Sequence, residues 1–165
     1  MVYCEPNPMI ESGEAGHEKQ LQSYQDHMTW TTNYGNPGEE ALDHLIRQMG
    51  RIGLDNAAMY LYSAPISYAD GDQEVLPDTM ELRCVLREGE LFVIPPDRRT
   101  CPIAEIYSRD ELPVVRFGYV CYPLFYGQFL LGIMVCGGDD RLFEIGEFLT
   151  FQLSRSIYLN WVRLP

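Results

Sequence analysis

Read for alternation of apolar and polar positions, the chain carries its strongest pattern between Tyr119 and Cys136, YVCYPLFYGQFLLGIMVC. Aromatic and β-branched residues fill two arms, and a glycine lies between them, which predicts a hairpin turning at Tyr126-Gly127. A two-residue loop places Phe125 opposite Gln128; a three-residue loop with Gly127 left-handed shifts the register by one. In the first register Val120, Tyr122, Leu124, Phe129, Leu131, Ile133 and Val135 share a face. Phe117, Tyr119, Cys121, Leu130, Met134 and Cys136 then share the other. Both faces are apolar in either register, so the hairpin is expected to be covered on both sides.

Around this centre the periodicities predict further elements. Residues 1–13 read as a loose leader, followed by a helix from Glu14 to about Thr32 with Leu21, Tyr24 and Met28 on one side. The run Asn33-Tyr34-Gly35-Asn36-Pro37-Gly38 breaks it. A better helix spans Glu39 to Ile52, with Leu42, Leu45, Ile46, Met49 and Ile52 as its stripe and Gly53 as its stop. A strand over Asn56–Tyr62 is expected to end before Pro65. After an acidic loop from Ser67 to Asp78, Thr79–Arg87 alternates. Met80, Leu82, Cys84 and Leu86 are expected inward, and Glu81, Arg83 and Arg87 outward, on a strand near a sheet edge. Leu91–Ile94 is a further strand. Asp97–Pro113 is a long proline-bounded connection with a short helix at Ile103–Tyr107, the kind of segment that forms binding loops or lids. A last helix runs from Leu142 to Leu164. Its stripe is Leu142, Ile145, Leu149, Leu153, Ile157 and Trp161, widened by Phe148, Phe151, Tyr158 and Val162. So broad an apolar girth predicts two surfaces to bury, the sheet and another helix. The helix running up to Pro165 predicts a following domain.

Composition narrows the class. At 165 residues with 46% hydrophobic and 12% aromatic residues, the chain is globular and of single-domain length. Twelve basic residues against 24 acidic ones give a net charge of −12, which disfavours nucleic-acid backbones and anionic membranes as partners. No apolar run reaches the roughly 18 residues of a membrane span, and the first residues lack the basic and apolar regions of a signal peptide. Five widely spaced cysteines without a C-x-x-C pair predict a reduced, cytoplasmic protein.

Pro123-Leu124-Phe125 before the hairpin turn and Leu131-Gly132-Ile133-Met134 after it resemble a GAF domain. The passage Ile46–Tyr62 and the closing helix from Phe143 support that likeness, which covers residues 38–162. It divides the chain into a leader with a helix, residues 1–37, and a GAF-like domain, residues 38–165. The resemblance implies an α+β fold: a central antiparallel sheet of five to six strands, helices on one face, and a loop-enclosed small-molecule pocket on the other. It also implies a non-catalytic sensory module of bacterial signalling proteins, of the kind preceding diguanylate cyclase domains, with an output domain outside this chain. The N-K-F-D-E signature of cyclic-nucleotide-binding members is missing, as is the Cys-His pair of bilin-binding members, since Pro102 follows Cys101. No cofactor is required by this reading.

The candidate chemistry lies in and around the long connection. Arg98 and Arg99 could neutralise an anionic ligand, as could Arg109. They could also lower the pKa of Cys101 and make it a redox sensor or the nucleophile of a methionine sulfoxide reductase; an inert loop cysteine is the commoner outcome. Tyr107, Phe117, Tyr119, Cys121 and Met134 complete the candidate ligand-binding set, though a pocket wall and a core face have the same composition. Asp70, Asp72, Glu74, Asp78 and Glu81 approximate a calcium loop, but Val75 stands where that turn needs glycine. His44 has no partner at metal-ligand spacing, so no metal is expected. The reading is therefore a regulatory module in which ligand occupancy changes how the terminal helix packs and dimerises. A ligand-free interaction scaffold and a thiol-dependent enzyme are the alternatives.

Overall fold

The computed structural model describes residues 46–47, 54–68, 76–115, 118–138 and 140–162. The predicted leader and its helix, the acidic residues 69–75 and Phe117 lie outside these, as does most of the Glu39–Ile52 helix. Of that helix, Ile46 and Arg47 are helical, with Ile46 fully buried and Arg47 exposed.

The fold is α+β. Among the described residues six strands, β1 (Ala57–Ser67), β2 (Thr79–Arg87), β3 (Glu90–Val93), β4 (Thr100–Pro102), β5 (Tyr119–Tyr126) and β6 (Phe129–Gly137), form one sheet. Every pairing is antiparallel, in the order β3-β2-β1-β6-β5, with β4 also on β2. One helix, α1 (Asp140–Val162), closes the chain. Among the described residues no helix is long and apolar enough to cross a membrane.

Glycines set both hairpin turns. At Glu88-Gly89 both residues have positive φ, 51° and 79°, the type I′ geometry that matches strand twist. At the second turn Tyr126 pairs with Phe129, so the loop is Gly127-Gln128, one residue later than expected. Gly127 has φ 58° and Gln128 is not left-handed, which is a type II′ turn with glycine at its first central position.

Three β-bulges correct the simple alternation. In β2 the register against β1 shifts where Tyr60 faces Leu82 but Met59 faces Cys84, so Arg83 is the extra residue. The inward set therefore divides. Met80 and Leu82 share a face with Val85, whereas Cys84 opposes Met59 on the other side. Arg83, expected in water, is buried and pairs with Glu81 at 3.1 Å. In the hairpin Leu124 faces Gly132 and Phe125 faces Leu130, leaving Leu131 as the extra residue. This moves Met134 and Cys136 away from the face of Tyr119 and Cys121 and onto that of Val120 and Tyr122. The bulge exists because β6 passes very close to β1 there: a Cβ on Gly132 would lie 2.0 Å from the Tyr60 carbonyl oxygen. In β1 the pairing with β6 breaks between Leu61 and Ile66, and Pro65 sits in that break. The strand consequently continues through the proline to Ser67, because no ladder bond is asked of the missing N–H.

The terminal helix covers one face of the β5–β6 hairpin. Leu149, Leu153 and Ile157, spaced at helical period, are buried, each contributing about 1.5–3 kcal/mol. Gly146 lets the helix sit on the Tyr122 ring, since a Cβ there would meet its Cζ and Oη at 2.6 Å. The rings of Tyr126 and Phe129 stack against Tyr158 further along, with centroids 5.0 and 5.1 Å away.

Cover on the opposite face is uneven. Along β6 that face is buried at Leu130 and Val135 and half-buried at Ile133, but on β5 the side chains of Cys121, Pro123 and Phe125 are exposed. The hairpin is thus interior through its inner strand only, because β5 is the sheet's edge. Gly138 N–H donates to Gly118 O, which turns the peptide groups of Val120, Tyr122 and Leu124 toward β6 and those of Tyr119, Cys121 and Pro123 outward. Pro123 therefore occupies an outward position, where its lack of N–H removes no internal bond.

Candidate functional site

The side of the sheet away from the helix is roofed by residues 94–113, and the fold builds this roof from the sheet's own edge. Val93 pairs with Cys84, Ile94 N–H donates to Arg83 O, Arg99 O accepts from Leu82 N–H, and Thr100 pairs with Glu81. β3 and β4 are thus two halves of one edge strand, separated by a four-residue excursion, Pro95-Pro96-Asp97-Arg98, that contains a single 3₁₀ turn. Arg99 is buried and closes the neck of this excursion with a bond from Nε to Ile94 O at 2.9 Å. After β4 a second 3₁₀ turn, Ile103–Glu105, takes the place of the expected short helix.

Beneath the roof lies a cluster of buried side chains. Tyr60 and Leu82 from the sheet pack with Cys101, Ile106 and Leu112 from the roof in one buried cluster. Tyr60 is fully buried, and its hydroxyl donates to Ile106 O at 2.9 Å. Burial raises its pKa strongly, so the phenol holds its proton and acts as a peg for the roof.

The roof's rim is polar and is drawn together by arginines. Arg109 grips Glu111 with both arms of its fork, Nε to Oε2 at 3.0 Å and Nη2 to Oε1 at 2.9 Å. Arg98 Nη2 reaches the same Oε1 at 2.8 Å. Arg109 Nη2 also bonds Arg98 O, and Arg87, from the end of β2, bonds the carbonyls of Asp110 and Glu111. Burial alone would raise the Glu111 carboxyl, but the bonds from Arg109 and Arg98 outweigh it and hold it below its ordinary range.

The predicted ligand-binding residues separate into distinct places. Arg98 belongs to the rim and Arg99 to the neck of the excursion. Cys101 lies on β4 with no exposure, and burial pushes its thiol up against the opposing pull of Arg109. The guanidinium acting most on this thiol is thus that of Arg109, and the net shift is opposite to the one expected of a thiolate. Tyr107 is exposed and lies 2.8 Å from the exposed Cys121 sulfur, a contact that raises the phenol's pKa. Tyr119 donates to Pro113 O at 2.5 Å and tilts against the Tyr107 ring. Met134 is buried under the terminal helix, on the far side of the sheet from the roof, for the reason of the Leu131 bulge. Phe117 lies outside the described residues.

Tyr60, Arg87 and Glu111 were not among the expected site residues. Tyr60 reads as one strand residue among several. Glu111 has no periodic context, and its partners are two and 13 positions away. Among the described residues no cluster of histidine, cysteine or carboxylate side chains could hold a metal ion. No protein-family model matches the chain, and neither does any curated protein or solved structure.

Proposed function

We propose that the chain is a non-catalytic, cytoplasmic relay module of the GAF type within a larger bacterial signalling protein, and that its working surface is the outer side of the terminal helix. The observation that carries this reading is a second apolar stripe on that helix. Phe148 and Phe151 are 43% and 55% exposed, and Val162 is also in water. Phe148 and Phe151 are one turn apart, and Val162 falls on the same side three turns further on, with the exposed Arg155 between them. This stripe lies opposite Leu149, Leu153 and Ile157, which bind the sheet. A second copy presents the same stripe, so a two-fold pairing buries both.

The packed cluster under the roof favours relay without a resident ligand. Tyr60, Leu82 and Leu112 fill the place where a GAF-like fold would hold a small molecule. Burial of Cys101, with its thiol kept protonated, argues against the thiol-dependent enzyme. The test is sedimentation velocity over a concentration series. Wild type is expected to dimerise, and Phe151→Glu to remain monomeric with unchanged circular dichroism. A wild type that stays monomeric at the highest concentrations overturns the reading.

A further inference from the structure

The arginine rim carries an inference beyond the relay reading. We propose that Arg98 and Arg109 form a binding site for a small carboxylate ligand, which the chain keeps occupied with its own Glu111. The geometry is that of carboxylate recognition: Arg109 meets both oxygens in a fork, and Arg98 meets one of them from a second direction. Two guanidiniums on one carboxylate leave an excess positive charge. Arg87 adds a third cation close by, on the carbonyls of residues 110 and 111.

The site also has a mouth and a floor. The Arg98 side chain is 62% exposed, against 19% for Glu111, so an incoming anion meets Arg98 first. Leu112, next to Glu111, is buried in the cluster with Tyr60 and Ile106. A ligand whose carboxylate replaces that of Glu111 therefore swings out the residue beside Leu112, and its own apolar body can take the place Leu112 leaves. The favoured class is an aromatic or branched aliphatic acid. Arg87, bonded only to backbone oxygens of the segment, keeps the displaced roof tethered.

Displacement must compete with a carboxylate on the same chain, whose effective concentration is millimolar or above. The wild type is therefore a weak binder, and removing the competitor strengthens binding by roughly tenfold or more. Benzoate is the probe, followed by heteronuclear NMR of the Arg109 side chain and the Leu112 methyl groups. Saturable shifts are expected in wild type at millimolar benzoate, tighter binding in Glu111→Gln, and loss of binding in Glu111→Gln/Arg109→Gln. Absence of saturable shifts in wild type, or equal affinity in wild type and Glu111→Gln, overturns the proposal. Should Glu111→Gln fail to fold, the wild type decides alone: benzoate must accelerate alkylation of the buried Cys101, and an unchanged rate refutes the displacement. Both readouts are independent of oligomeric state, so failure here leaves the relay reading standing, and failure of dimerisation leaves this site standing.

Discussion

Replacing Gly146 by alanine tests how the terminal helix is seated. Glycine inside a helix is about 1 kcal/mol less favourable than alanine, so propensity alone predicts that Gly146→Ala stabilises. The packing predicts the reverse. The new Cβ would lie 2.6 Å from Cζ and Oη of Tyr122 and 2.9 Å from its Cε1. Carbon contacts are optimal at about 3.5–4.0 Å, so ring and helix must part by about 1 Å. Tyr122 stands in the middle of β5, opposite Met134, and the helix cannot rise without loosening Leu149 and Leu153. Overpacking of this kind costs about 1–3 kcal/mol, leaving a net loss of about 0–2 kcal/mol. In a Tyr122→Leu background the obstruction is gone, and the same substitution should stabilise by about 1 kcal/mol, or about half a molar in a urea midpoint. The sign reversal across the double-mutant cycle is the signature, with a coupling of about 1–3 kcal/mol. Equal stabilisation in both backgrounds would refute the seating of the helix on Tyr122.

Two further outcomes concern the roof. Tyr60→Phe keeps the ring and leaves Ile106 O without its donor, at a cost of about 1–3 kcal/mol. If roof opening exposes Cys101, its alkylation should accelerate roughly 5- to 150-fold, and an unchanged rate would show that the peg does not hold the roof. The second outcome is a pH dependence. The folded pKa of Glu111 lies below its ordinary value of 4.5, so its contribution is complete above that value and is lost as pH falls through the folded pKa. Hydrogen exchange of residues 106–113, corrected for intrinsic rates, should rise below about pH 4.5 in wild type, without that step in Glu111→Gln. Protection that persists until global unfolding would exclude a role for the Glu111 carboxylate in holding the roof.

What the sequence disclosed and what it hid follow from the reach of each signal. The stripe Leu149, Leu153 and Ile157 is a local period, and it was legible. The β2 pattern was legible up to Leu82 and failed at Arg83, because a bulge is decided by the register of the neighbouring strand. The same holds for Leu131. Its bulge answers the approach of Gly132 to the Tyr60 backbone, so simple alternation places Met134 on the wrong side of the sheet. The hairpin was legible from Gly127, but a glycine can serve either position of a two-residue turn, hence the one-residue displacement. The interrupted edge strand around Pro95–Arg98 and the convergence of Arg87, Arg98 and Arg109 on residues 110–111 depend on tertiary pairing, and no spacing encodes them. The GAF likeness was carried by the hairpin and helix patterns, and it remains the basis of the function proposed above.

Pro123 has a consequence for assembly. Its missing donor and outward placement leave the outer margin of β5 with a gap between the N–H groups of Cys121 and Phe125. An incoming strand could form only a short, broken ladder along this margin. Sheet-to-sheet polymerisation is thereby discouraged along this side. A single imino acid at the rim is thus a safeguard against edge-to-edge fibre growth.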